Sequence, residues 1–169
     1  INDMKLFQIA IIAAFQCISP LYSQINTESL RGDSLQSGIY HNMKLDFDYI
    51  SGNTKNVQLS GFYRLDYRSL TNWYGFLIGK SDRSFEKYNE YYNIGFVHLR
   101  IAKPVKSHTH IEGFIQKETN YFINLKNRQL LGAGLRINQL KNKSLGTGIM
   151  IEKEKYSNLP QEQNFIKST

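Results

Sequence analysis

Residues 57–68 change character at every step. Val57, Leu59, Gly61, Tyr63, Leu65 and Tyr67 form one set, and Gln58, Ser60, Phe62, Arg64, Asp66 and Arg68 form the other. A period of two residues marks a β-strand with unlike faces, because successive side chains leave a strand on opposite sides. The run is also long against the usual strand of about five or six residues. A chain built from such segments folds as a sheet that is more apolar on one side, and the side that meets solvent decides its class.

The same pattern recurs along the chain, with no helical periodicity after Gln24. In residues 35–50, Met43, Leu45, Phe47 and Tyr49 oppose Lys44, Asp46 and Asp48. A third segment covers residues 73–80 and is followed by a polar stretch, 81–90, that reads as a loop. The fourth, 91–102, is expected to end at a turn around Pro104. In the fifth, 109–122, Thr109, Ile111, Gly113, Ile115 and Lys117 oppose His110, Glu112, Phe114, Gln116, Glu118 and Asn120. In the sixth, Leu131, Ala133, Leu135 and Ile137 oppose Gly132, Gly134, Arg136 and Asn138. A short turn leads to the seventh, 144–155, where Leu145, Thr147, Ile149 and Ile151 oppose Gly146, Gly148, Met150 and Glu152. The expected fold is all-β, an antiparallel up-and-down meander of about seven strands. Loop lengths are expected to alternate roughly between short and long.

The first residues point to export. Met4 and Lys5 precede an apolar run, residues 6–15, and a small residue follows at Ser23, as in a secretory signal peptide. Cleavage is expected between Ser23 and Gln24. Gln16 before Cys17 argues against lipid attachment there, because lipidation wants a small residue in that place. Removal of residues 1–23 would leave no cysteine, and hence no disulfide or thiol chemistry. Ile1, Asn2 and Asp3 lie upstream of a natural start at Met4. The formal net charge is +7, but its lysines and arginines are scattered and no nucleic-acid-binding motif accompanies them. A solvated basic surface is expected rather than a nucleic-acid partner.

Two architectures fit an exported meander: a soluble barrel with its apolar face inward, or a transmembrane barrel with that face in lipid. Three features favour lipid. The polar face carries Arg64, Asp66, Arg68, Glu112, Gln116, Glu118, Arg136 and Glu152, both signs of charge on neighbouring strands, as in a crowded lumen. The aromatics Tyr63, Tyr67, Trp73, Tyr74, Tyr88, Tyr91, Tyr92, Tyr121, Phe122 and Tyr156 lie mostly near strand ends, where headgroup girdles form. Glycines recur inside the strands, where a wall bends or a bulky neighbour must fit. Gly132 and Gly134 are expected to point into the lumen beside Gly146 and Gly148, leaving room for Phe62 or Phe114, with Arg136 paired to a glutamate. The alternative is a secreted soluble barrel that binds a small apolar ligand.

Catalytic and metal chemistry find little support. His108 and His110 share a face and His98 lies nearby in the pattern, but such histidines are more often polar rim residues than metal ligands. Ser107 and His108 are sequence neighbours and so face opposite sides of a strand. Glu112 and Glu118 are separated by about 20 Å along one strand, too far for a glycosidase pair. The lumen charges fit either a narrow pore or a plug of ion pairs, and a small barrel favours the plug.

Residues 112–137, EGFIQKETNYFINLKNRQLLGAGLRI, resemble the hallmark stretch of a bacterial family of salt-induced outer membrane proteins, a domain of unknown function. That family shows an acidic residue, an aromatic and a glutamine on one strand, a short loop, then an arginine, leucines and GAGLR. Glu112, Phe114, Gln116, Arg128, Leu130, Leu131, Gly132, Ala133, Gly134, Leu135 and Arg136 stand at those positions. GFYRLDYRSL and YYNIGFVHLRI are similar to the family's preceding strands more loosely. The resemblance implies a non-enzymatic outer-membrane β-barrel with no cofactor. Its partners would be membrane lipid and the barrel assembly machinery, and its role envelope integrity, salt stress or a narrow channel. The ending NLPQEQNFIKST departs from the pattern, because such barrels close on a strand with a terminal aromatic. An odd strand count departs from it too. The sequence is therefore expected to be a fragment lacking C-terminal strands.

Overall fold

The computed structural model describes residues 35–53, 55–87, 89–106, 108–139 and 143–168. The expected signal peptide, its junction at Ser23 and Gln24, and Cys17 lie outside the described residues. The strands are β1 (Gly38–Ser51), β2 (Lys55–Arg68), β3 (Tyr74–Glu86), β4 (Asn89–Lys106), β5 (Thr109–Asn120), β6 (Leu125–Gln139), β7 (Lys143–Tyr156) and β8 (Gln163–Ser168). They form one eight-stranded sheet in the order of the sequence, each antiparallel to the next. β1 and β8 are its edges, and the sheet is not closed between them.

The connections follow from local chemistry. Between β2 and β3, Asn72 takes a left-handed conformation (φ 61°) and its N–H donates to Ser69 O at 3.0 Å. Between β5 and β6, residues 121–123 make one 3-10 turn. Asn120 Oδ1 accepts from Phe122 N–H at its start, and left-handed Asn124 ends it. Asparagine tolerates this conformation better than other non-glycine residues do. No regular alternation of short and long links results. Two residues separate β3 from β4, and six separate β7 from β8.

Three sequence expectations need correction. Residues 81–86 are strand, not loop: Ser81 pairs with Gly61 on one side and Gly95 on the other. Hydrogen bonds to both neighbours hold this polar extension, so it needs no apolar alternation. β4 does not stop before Pro104 but runs to Lys106, with a register shift between Pro104 and Lys106. A bulge lets a strand accommodate the missing proline N–H. The C-terminal run contains an eighth strand, β8, which pairs Gln163–Ser168 with residues 149–154. The described count is therefore eight, and the odd-number argument for missing strands falls away.

Candidate functional site: a buried polar face

The register can be followed straight across the sheet. One row reads Leu65, Leu77, Leu99, Ile115, Leu131, Ile151 and Ile166, aliphatic on all seven strands from β2 to β8. This row is on the outward side: Ile115, Leu131 and Ile151 are each more than half exposed. Met43, Leu45, Phe47, Leu135, Leu145 and Ile149 share that side and are also exposed. The opposite side is buried from β2 to β7 and mixed in character, with Phe76, Ile78, Phe96, Leu130 and Met150 buried among charged and polar groups. Its row one residue away reads Asn42, Arg64, Ile78, His98, Gln116, Leu130, Glu152 and Phe165. His98, Gln116 and Glu152 there are at most 4% exposed. Arg64, Asp66, Arg68, Glu112, Gln116, Glu118, Arg136 and Glu152 all lie on this one face, as the alternation predicts.

Three clusters organise the polar face. On β2 and β3, Arg64 grips Asp66 through Nε–Oδ2 at 2.5 Å and Nη2–Oδ1 at 2.8 Å. Tyr74 Oη donates to the same carboxylate at 2.7 Å. Tyr74 is therefore a buried partner on this face rather than a rim aromatic. In the middle, His98 lies between Phe76 and Phe114, with centroids 5.5 and 5.7 Å away, and its Nδ1 is 3.1 Å from Gln116 Oε1. Beside it Arg100 pairs with Glu112 at 3.4 Å and stacks over Phe114.

The third cluster is centred on Arg128. Its guanidinium reaches Glu118 at 3.4 Å, Glu152 at 3.1 Å and Glu154 at 2.6 Å. All four side chains are at most 8% exposed. Lys167 contacts Glu152 from β8, and Tyr156 Oη donates to Glu154 at 3.1 Å. The alternation identifies Glu118 and Glu152 as members of this face but not Arg128 as their hub. The signal was present, since Arg128 has the same parity as Gly132 and Gly134 on β6. Glu154, Arg100 and His98 follow by the same parity on β7 and β4. Outside the sheet, the Lys153 ammonium hydrogen-bonded to Glu162 holds that exposed carboxyl below its usual range.

The two glycines of β6 have different reasons. A Cβ on Gly132 would lie 2.5 Å from the Phe114 ring, so this glycine makes the floor on which Phe114 rests. Phe114, and not Phe62, is the residue that uses the space. Gly134 pairs directly with Gly148, and a Cβ there would meet Thr147 O at 2.5 Å. Main chain approaches main chain at that point, and nothing can move aside. Gly134→Ala is expected to cost about 1–3 kcal/mol in unfolding titrations. Gly132→Ala should cost a similar amount alone but recover when combined with Phe114→Leu. Failure of that rescue would refute the Phe114 explanation.

Among the described residues no group of three metal-ligating side chains is found. His108 is exposed near a strand end, whereas His98 is buried in the aromatic stack. No protein-family model matches this chain, and no curated protein or solved structure matches it either.

Proposed function

We propose that this chain forms the wall of an outer-membrane β-barrel with no catalytic role, whose outward face meets lipid and whose ion pairs line and fill the interior. The observation that carries this reading is the inverted polarity of the sheet. Aliphatic residues stand exposed across the strands, while arginines and glutamates are buried behind them. Water as the outer solvent would favour the reverse arrangement. A soluble barrel holding an apolar ligand would leave its outward aliphatic face in water, and its interior would set the buried charges Arg128, Glu118 and Glu152 beside apolar residues such as Phe96 and Leu130.

A second feature supports the reading. The outward apolar run on β2 spans residues 57–67 and is centred near residue 62. Following the register from Phe62 leads through Lys80, Phe96, Glu118 and Arg128 to Glu154 on β7. The apolar run of β7 is residues 145–151, centred near 148, six residues short of Glu154. The apolar band thus slips by about 1.2 residues per strand, which at about 3.3 Å rise and about 4.8 Å spacing equals a strand tilt of about 40°. Transmembrane barrels tilt their strands by about 35–45°. The strands of 12 to 18 residues from β1 to β7 exceed the roughly 9–11 needed for a span. In lipid the edges β1 and β8 need partners, either each other or further strands.

The Arg128 cluster favours a stiffening plug over an open path, because its carboxylates are occupied by Arg128 and Lys167. A role in envelope integrity or salt stress is consistent with that. The direct test is expression with fractionation. The chain should be recovered with outer membranes and should migrate faster on a gel before boiling than after. Recovery as a soluble periplasmic protein with no heat-dependent shift would refute the reading.

A further inference from the structure

The apolar band has an abrupt edge. On the outward face of β5, β6 and β7 the row Ile115, Leu131 and Ile151 is followed by the row Lys117, Gln129 and Lys153. One step of two residues, about 7 Å along the strand, changes aliphatic to basic and polar. Lys155 continues the outward face of β7, opposite Asn127. Lys117, Lys153 and Lys155 are all exposed, and Glu162 is the carboxylate on which both Lys153 and Lys155 act. Lys153 is held 2.6 Å from Glu162, which lies in the link to β8. That pair is exposed and weak, so a competing anion can displace it. Tyr121 and Phe122 stand exposed at the same end of the sheet, between β5 and β6.

We propose that Lys117, Lys153 and Lys155 form a binding site on the barrel's outer surface for the phosphate of a net-anionic lipid headgroup. The proposal rests on the membrane reading above and adds a lipid class to it. The geometry suits a bound lipid. Its acyl chains would lie along Ile115, Leu131 and Ile151. Its phosphate would sit one row higher, between Lys117 and Lys153, which are two strand spacings or about 10 Å apart. Gln129 stands between them as a further hydrogen-bond donor. An amino lipid or a choline lipid offers no net charge to hold three ammonium groups, whereas a diphosphorylated glycolipid or a phosphatidylglycerol does. A basic residue at an anionic membrane surface contributes about a fivefold gain in binding, so three act strongly together.

The full chain, inserted into phosphatidylcholine nanodiscs, is titrated with phosphatidylglycerol or with diphosphorylated lipid A, and retained lipid is counted by native mass spectrometry. The expected result is retention of anionic lipid over phosphatidylcholine, reduced at least tenfold in Lys117→Gln/Lys153→Gln/Lys155→Gln. A charge-matched control at exposed strand ends, Lys55→Gln/Lys87→Gln/Lys106→Gln, should bind as the parent does. Retention of lipid A alone would assign the phosphate to a glycolipid, and retention of both would assign it to headgroup charge in general. Equal retention by the triple variant and the parent, or no preference for anionic lipid, would overturn the site while leaving the membrane reading intact. A chain that fails to enter the nanodisc before any anionic lipid is added would overturn the membrane reading and the site with it.

Discussion

Arg128→Ala is expected to lower the stability of the folded chain by about 3–5 kcal/mol, because it removes the cation shared by three buried carboxylates. Glu118, Glu152 and Glu154 converge on this one guanidinium from β5 and β7. With Arg128 gone, Lys167 remains against Glu152, but Glu118 and Glu154 keep no cation within the cluster. Carboxylates that lose their partner in a dry environment must either take a proton or draw water inward, and both weaken the wall. Arg128→Lys should lose less, since it keeps the charge but cannot fork to three partners. Adding Glu118→Gln and Glu154→Gln to Arg128→Ala should restore part of the loss. Urea titration read by the folded band on a gel, or by Trp73 fluorescence, measures all of these. A change under about 1 kcal/mol for Arg128→Ala would mean that the cluster is solvated and carries no structural weight.

The faces of the sheet were legible because period-two alternation is local. Arg64 and Asp66 could be assigned to one side from the β2 sequence alone, and Glu112, Gln116 and Glu118 from β5. The role of Gly132 was legible in part: a glycine opposite an aromatic implies space for a ring, and the register chose Phe114 over Phe62. The parts that were missed depend on non-local pairing. The extension of β3 through residues 81–86 is polar except for Phe85 and is held by its neighbours, so no alternation marks it. β8 offers six exposed residues, too few for alternation to stand out from a loop. Pro104 reads as a strand end, and only the bulge in β4 shows how the strand passes it. Arg128 became a hub only when β5 and β7 were set on either side of β6, which brings Glu118 and Glu154 directly opposite it. Parity names the members of a face, but register decides who touches whom.

The central claim is that the exposed aliphatic face meets lipid, and Leu135→Arg tests it most directly. Leu135 is 48% exposed near the centre of the outward apolar run of β6, residues 131–137, whose edge is Leu131 beside Gln129. On a soluble sheet, exchange of an exposed leucine for arginine shifts stability by no more than about 0.5 kcal/mol. On the lipid face of a transmembrane barrel the same exchange costs about 2–4 kcal/mol near the midplane and about 0–1 kcal/mol near the interface. Gln129→Arg, beyond the edge of the apolar band on the same strand, supplies the shallow comparison. Unfolding of both variants in phosphatidylcholine bilayers is the measurement to make. The account predicts a loss of about 2–4 kcal/mol for Leu135→Arg and little change for Gln129→Arg. Equal and negligible effects at both positions would contradict it and return this face to water.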